Sequence, residues 1–292
     1  MTGVPAPRPL RPPRPPRPLH EMPREVAAAV HTVLTDIDDT LSSEGRLTAA
    51  AYTALEQLHD AGLRVVPVTG RPAGWCDHVA RFWPVAGVVG ENGAFYMWHE
   101  GGSSGSGGSV GQGRLHTRHW VDDAGRAASV AGIVAVRERI LAEVPGCAVA
   151  SDQFCRLYDL AIDFREDVPP LPGVQIDRIV ALMQAAGMTA KVSSIHVNGW
   201  FGEWDKLTMV RLMLAERWGI DIDAAAARER IVFAGDSPND EPMFAFFPHA
   251  VGVANVLAHR SRLRSLPAWV TPSAAGAGFV ELAQHLLAAR AG

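Results

Sequence analysis

The residues best placed to do chemistry stand at the end of one apolar run, where Val33-Leu34-Thr35 leads into Asp36-Ile37-Asp38-Asp39-Thr40. In extended backbone, residues two apart point the same way, so Asp36 and Asp38 are expected to project together past the end of a buried strand. Carboxylates at that range repel, so either one takes a proton or a cation sits between them. A hard divalent ion with oxygen ligands meets that demand, Mg²⁺ where the other ligands are water and phosphate. The plainer alternative is a strand followed by an acidic turn, with Asp39 as a helix cap. Further along come Thr69-Gly70-Arg71-Pro72, then Lys206, then Gly235-Asp236-Ser237-Pro238-Asn239-Asp240. Taken singly, Thr69 reads as a helix cap and Lys206 as a solvated lysine at a helix start. Taken together, the carboxylates, the ammonium, the hydroxyl and nearby backbone N–H groups suit a Mg²⁺ ion and a phosphate group.

Such a set works only if the chain brings it together, and the patterning says how. Apolar strand-like runs at His31–Asp36, Leu63–Val68 and Val85–Val89 alternate with helical patterns at Thr48–Ala61 and from Pro72 to Trp83. Thr48 is a suitable N-cap and Gly62 a suitable stop. Strand, helix, strand, helix, strand at this spacing predicts a parallel sheet. The pattern then changes. Phe95–His99 and Leu115–Trp120 read as a hairpin around the Gly/Ser-rich stretch 101–109, a flexible linker composition. Helices are expected at Ala124–Val144 and Val174–Ala186, and strands at Arg156–Phe164 and Ala190–Val197. The first pattern returns with a helix over Lys206–Trp218, a strand over Arg230–Ala234 and a helix over Glu241–Phe246. Short strands at Ala250–Val253 and Ala268–Thr271 and a helix over Phe279–Ala289 follow. The expected fold class is α/β: a Rossmann-like parallel-sheet core with helices on both faces, plus an inserted α+β domain. The expected divisions are a disordered Pro/Arg-rich tail (1–23), a first part of the core (24–94), the insertion (95–198) and a second part of the core (199–292). Ligands of open parallel sheets bind at the carboxyl ends of the strands, so the three polar clusters should meet at one edge.

Composition bounds the partners. Of 292 residues, 48% are apolar and 20% charged, the balance of a soluble globular protein. A net charge of -4 points to neither nucleic acid nor an anionic membrane. The three cysteines, Cys76, Cys147 and Cys155, have no metal spacing and suit a reducing, cytoplasmic setting. No apolar run reaches transmembrane length, and the start of the chain lacks the apolar core of a secretory signal.

On four ordered motifs, Asp36-Ile37-Asp38-Asp39-Thr40, Thr69-Gly70-Arg71, Lys206 and Gly235-Asp236-Ser237-Pro238-Asn239-Asp240, the sequence resembles the haloacid dehalogenase superfamily over roughly residues 31–290. The insertion between the second and third motifs looks like the α/β cap of the subgroup that includes sucrose-phosphate, trehalose-phosphate and mannosyl-phosphoglycerate phosphatases. Glu91-Asn92-Gly93-Ala94 at the cap entrance also fits that subgroup. One departure is Asp39, where many members carry Gly. The resemblance implies that Asp36 is a nucleophile forming an aspartyl-phosphate and Asp38 the general acid/base. It implies that Thr69, Gly70 and Lys206 hold phosphoryl oxygens. Mg²⁺ would sit on Asp36, Asp236 and the main-chain carbonyl of Asp38. Asn239 and Asp240 would support the site, Asp240 by orienting Lys206 or a metal-bound water. Candidate substrate contacts are Arg71, Asn92, Arg156, Tyr158, His196, Asn198 and Trp200. Trp200 either stacks on a sugar face or packs in the cap core, and His196 is either a ligand or a satisfied strand histidine.

The expected function is a Mg²⁺-dependent phosphatase acting on a small phosphorylated metabolite, with sugar phosphates the leading class. One alternative is a phosphomutase of the same superfamily. Another is a phospho-accepting signalling receiver, although receivers are shorter, lack a cap and need no acid two residues after the nucleophile. A catalytically silent binding protein is disfavoured because every motif acid is present.

Overall fold

The computed structural model describes residues 15–100 and 113–291. Residues 1–14 of the expected tail and the expected Gly/Ser linker lie outside the described residues. In chain order the elements are β1 (Arg17–Pro18), α1 (Arg24–Ala29), β2 (Thr32–Thr35), the small pair β3 (Ser42–Ser43) and β4 (Arg46–Leu47), α2 (Ala49–Asp60), β5 (Arg64–Pro67), α3 (Ala73–Phe82) and β6 (Val88–Gly90). Then come β7 (Phe95–Glu100), β8 (Arg114–His119), α4 (Asp123–Glu143), β9 (Ala148–Val149), β10 (Asp159–Asp163), α5 (Gly173–Ala185), β11 (Thr189–Val192) and β12 (His196–Trp200). The chain closes with α6 (Lys206–Trp218), α7 (Ala225–Arg228), β13 (Ile231–Gly235), α8 (Glu241–Phe246), β14 (Val251–Gly252), β15 (Trp269–Val270) and α9 (Ala275–Arg290). Among the described residues, no helix is long and apolar enough to cross a membrane.

The main sheet runs β1-β15-β14-β13-β2-β5, with every pair parallel. Its strands are apolar on both faces, as a sheet covered twice requires. Val33, Val65 and Val232 pack against α2, α3 and α9; the alternating Leu34, Val66 and Phe233 pack against α6 and α8. From β2 the chain proceeds to β5 on one side and returns through β13 on the other. The strand order therefore reverses between β2 and β13, the place where open α/β sheets bind ligands.

Two expectations about the core are corrected. Residues 15–23 do not belong to a loose tail. β1 adds a parallel strand to β15, Arg17 lies over the Trp269 ring at 3.8 Å, and Leu19 and Met22 are buried in the core. Those two apolar side chains supply the burial that the surrounding Pro/Arg composition hides. The hairpin β7–β8 is not part of the insertion either. It pairs with β6, which bridges to β5 through Val68 and Val89, and Phe95, Tyr96 and Met97 are buried among core helices.

The cap is a separate antiparallel sheet, β11-β12-β10-β9, covered on one face by α4 and α5. The stretch read as one strand over 190–197 is a hairpin, turning at Ser193–Ile195. Alternation divides its faces. Leu160, Ile162 and Val197 pack on the helices, whereas Asp159, His196 and Asn198 occupy the other set of positions. The cap sheet therefore turns a polar face toward the core.

Candidate active site

After Thr35 the backbone leaves the strand. Asp36 N still donates to Ala234 O at 2.9 Å, but residues 38–41 form a turn with Asp39 at φ 52°. Asp36 and Asp38 do face one cavity, as expected, but a turn and not strand alternation brings Asp38 there. Asp36 Oδ2 accepts from Lys206 Nζ at 2.9 Å, and Asp36 Oδ1 accepts from Ile37 N at 2.7 Å. The Asp38 carboxylate is gripped by Arg71, whose Nε donates to its two oxygens at 3.0 and 3.1 Å and whose Nη2 donates at 2.9 Å.

Lys206 opens α6, the helix that follows the cap. Its helix is started by a capping box between Asp205 and Thr208. Gly93, at φ 109°, lets the η-turn of Glu91–Gly93 approach this helix start; a Cβ there would lie 2.1 Å from Asp205 O. Lys206 Nζ also donates to Asp240 Oδ1 at 2.7 Å, and Asp240 Oδ2 accepts from Asp236 N and Ser237 N. Carboxylate oxygens of Asp36, Asp236 and Asp240 lie within 4.8 Å of one another, all buried. One ammonium serves three carboxylates. Burial pushes the Asp36 carboxyl up to about 7 against the pull of Lys206, and burial with repulsion from Asp240 and Asp36 pushes Asp236 well above the usual range. Lys206 is raised above its ordinary value by Asp240 and Asp36, although burial opposes this. A pocket short of positive charge and rich in carboxylate oxygens fits a hard divalent cation such as Mg²⁺. Asp240, not the Asp38 side chain, supplies the third carboxylate of this cluster.

Asn255 was not expected. Its Nδ2 donates to Asp236 Oδ2 at 2.9 Å and Asp39 O at 3.0 Å, while its Oδ1 accepts from Ala275 N at 2.9 Å. It follows β14, so the rule that strand ends deliver site residues, carried one strand further, would have found it. Thr69 is fully buried, and its Oγ1 accepts from Arg71 N at 3.0 Å. Asn239 Nδ2 donates to Asn92 Oδ1 at 3.2 Å, and Ser237 Oγ donates to Asn239 Oδ1 at 2.7 Å. Asn92 Nδ2, next to Gly70, is buried with no partner among the described residues.

The cap closes over this edge. Asp36, Asp38, Gly70, Arg71 and Asn239 face Arg156, Ser193, Ile195, His196 and Asn198 across a cavity of about 10 Å³, space for roughly one water. Arg71 reaches across to Glu166 at 2.7 Å and Asp152 at 3.4 Å. Glu166 is held down to about 2: burial works to raise it, but bonds from His196 and Arg71 outweigh that. Arg156 is fully engaged, with Asp152, with Asp159 and with Gly70 O at 2.8 Å. Glu91 joins core and cap, accepting from Ala73 N in the core and from Leu157 N, Tyr158 N and Asp159 N in the cap. Of the expected substrate contacts, Asn92, Tyr158 and Trp200 do not line the cavity; Asn92 bonds Asn239 behind it. Tyr158 bonds His119 through its hydroxyl, and Trp200 stacks on Trp204, both buried in the core.

The sequence of residues 33–103 matches the profile of haloacid dehalogenase-like hydrolases. No curated protein matches the chain significantly. Among solved structures, protein 0175 of Thermoplasma acidophilum superimposes with a TM-score of 0.63 at 17% identity, covering 88% of this chain and 98% of that one. The sucrose-phosphatase of Synechocystis sp. superimposes at 0.56 and 14% identity, covering 87% and 97%. A trehalose-6-phosphate phosphatase related protein does so at 0.53 and 13% identity, covering 87% and 95%. At these identities the likeness is one of fold. The chain thus shares its fold with each of these structures along nearly the whole length of both, and its residues 33–103 are similar in sequence to haloacid dehalogenase-like hydrolases.

Proposed function

We propose that the protein is a Mg²⁺-dependent phosphatase of small phosphomonoesters, sugar phosphates foremost, acting through an aspartyl-phosphate on Asp36. The observation that carries this reading is Asp36 itself. It is a buried carboxylate at the strand-order reversal, fixed at both oxygens, with Lys206, Asp236 and Asp240 around it. Asp36 attacks phosphorus, and the bond from phosphorus to the alcohol oxygen breaks. Asp38 gives that oxygen its proton, then takes one from the water that attacks the aspartyl-phosphate and releases inorganic phosphate. Arg71 must let go of part of Asp38 for this. Lys206, the Thr69 hydroxyl and the backbone at Gly70 hold the phosphoryl oxygens, so the barrier falls mainly through positioning and charge stabilisation. Asp36, Asp236 and the main-chain carbonyl of Asp38, with Asp240 beside them, would hold Mg²⁺, which when bound offsets the charge of the phosphate. The closed cap excludes water during transfer.

The test is Asp36→Asn. An amide is a poor nucleophile and a weaker metal ligand, so release of phosphate from p-nitrophenyl phosphate should disappear while the circular-dichroism spectrum stays that of the wild type. A folded variant that keeps a substantial fraction of turnover would refute the aspartyl-phosphate mechanism.

A further inference from the structure

Arg71 stands where core and cap meet. It follows β5 in the core, and its guanidinium is shared between one core carboxylate, Asp38, and two cap carboxylates, Glu166 and Asp152. The two cap acids are unequal partners. Asp152 Oδ1 and Oδ2 already accept from Arg156 at 3.0 and 3.2 Å, and Arg71 Nη1 reaches Asp152 only at 3.4 Å. Glu166 makes the short contact. Its Oε1 accepts from Arg71 Nη2 at 2.7 Å, and that same nitrogen donates to Asp38 Oδ1 at 2.9 Å. Glu166 is also fixed from its own side. Asp163, the last residue of β10, accepts from Arg165 N, Glu166 N and Asp167 N, each at 2.8 Å, and so holds the turn that carries Glu166. His196 Nε2 sits 2.9 Å from Glu166 Oε2.

The cavity of about 10 Å³ between core and cap has no room for a phosphomonoester, so the cap must move away for substrate to enter. Glu166 and Asp152 go with it. Among the described residues Arg71 then keeps one carboxylate partner, Asp38. A general acid needs an oxygen free to face the leaving group. Asp38 Oδ1 takes two bonds from Arg71, whereas Oδ2 takes one, from Nε at 3.1 Å, and is the easier of the two to release. We infer that Glu166 is a positioning residue that ties cap closure to the general acid. On closing, it draws Arg71 toward the cap, loosens the hold on Asp38 Oδ2, and lets that carboxyl turn to the leaving oxygen once the site is sealed. Glu166 does not line the cavity; it acts through Arg71. The inference rests on the phosphatase reading and adds to it a coupling between lid closure and proton delivery.

The experiment compares wild type, Glu166→Gln, Asp38→Asn and the double variant, each with Mg²⁺, on phenyl phosphate and p-nitrophenyl phosphate. The two substrates have similar size, but phenolate is the more basic leaving group and depends more on a donated proton. In Glu166→Gln, kcat/KM for phenyl phosphate should fall at least ~10-fold further than kcat/KM for p-nitrophenyl phosphate. In the Asp38→Asn background, Glu166→Gln should cost phenyl phosphate less than ~2-fold more, because the two residues act as one unit. Equal losses on both substrates would make Glu166 a plain cap contact and overturn the inference. So would no loss on either, or a full additional loss in the double variant. If the wild-type protein hydrolyses neither compound, the phosphatase reading itself falls, and this inference with it.

Discussion

Lys206→Met tests how the buried charge of the site is balanced. The methionine fills nearly the same volume and removes only the ammonium. Asp36, Asp236 and Asp240 then stand within 4.8 Å of one another with no cation. Removing one partner of a buried ion pair costs about 3–5 kcal/mol, and at about 2–4 °C per kcal/mol for a chain of this size the melting temperature should fall by roughly 10 °C. The loss should depend on pH in a known direction. The Asp36 carboxyl is already raised to about 7 in the folded protein against an ordinary 3.8. A group raised on folding contributes stability below its unfolded value and loses it as pH rises through its folded value. Without Lys206, Asp36 and Asp236 lose the attraction that opposes this rise. The deficit against wild type should therefore be small near pH 5 and large near pH 8, measured by thermal melts in excess chelator. Added Mg²⁺ should recover part of it, because a bound cation stabilises the folded form. In parallel, kcat should drop by about 10²–10³, the usual effect of deleting one oxyanion donor. A deficit under about 1 kcal/mol, or one independent of pH, would show that these carboxylates do not depend on Lys206 for their counter-charge.

Asp38→Asn should lower kcat/KM by about 10²–10⁴ for an alkyl or sugar phosphate but far less for p-nitrophenyl phosphate, whose leaving group needs no proton; equal losses would mean that Asp38 only shapes the site. Excess chelator should abolish turnover and Mg²⁺ restore it, while Ca²⁺ should inhibit because it prefers longer bonds and more ligands; full turnover in chelator would remove the metal from the mechanism. Leu19→Ala should cost about 2–5 kcal/mol in urea unfolding, because Leu19 is buried beneath the β1–β15 edge; a cost below about 0.5 kcal/mol would show that this segment does not dock in solution.

The parts of the site legible in the sequence are those that a strand end delivers locally. Asp36, Thr69 and Asp236 each follow an apolar run by one or two residues, and a parallel sheet then gathers them without further information. Lys206 could be placed because it opens a helix with its own capping signal where the sheet pattern resumes. What was misread depends on where regular backbone stops. Asp38 reaches the cavity beside Asp36, but by a turn after the strand ends at Thr35, and its pairing with Arg71 is not visible in strand alternation. The docking of Leu19 and Met22 was hidden because the residues around them are prolines and arginines, and their burial is decided by β15, some 250 residues later in the chain. The ion pairs that tie the cap to Arg71 were beyond local reading for the same reason. Asp152 and Glu166 lie in irregular segments of the cap, and nothing in their neighbours marks them; they acquire meaning only by meeting Arg71, 81 and 95 positions away. The proposed chemistry is thus legible in short motifs, because the groups it assigns to attack, proton transfer and phosphate binding must each sit at a fixed place on one rigid sheet edge. The bonds that join core to cap are made by pairs that cross between two separately folded layers, and local pattern cannot display such pairs.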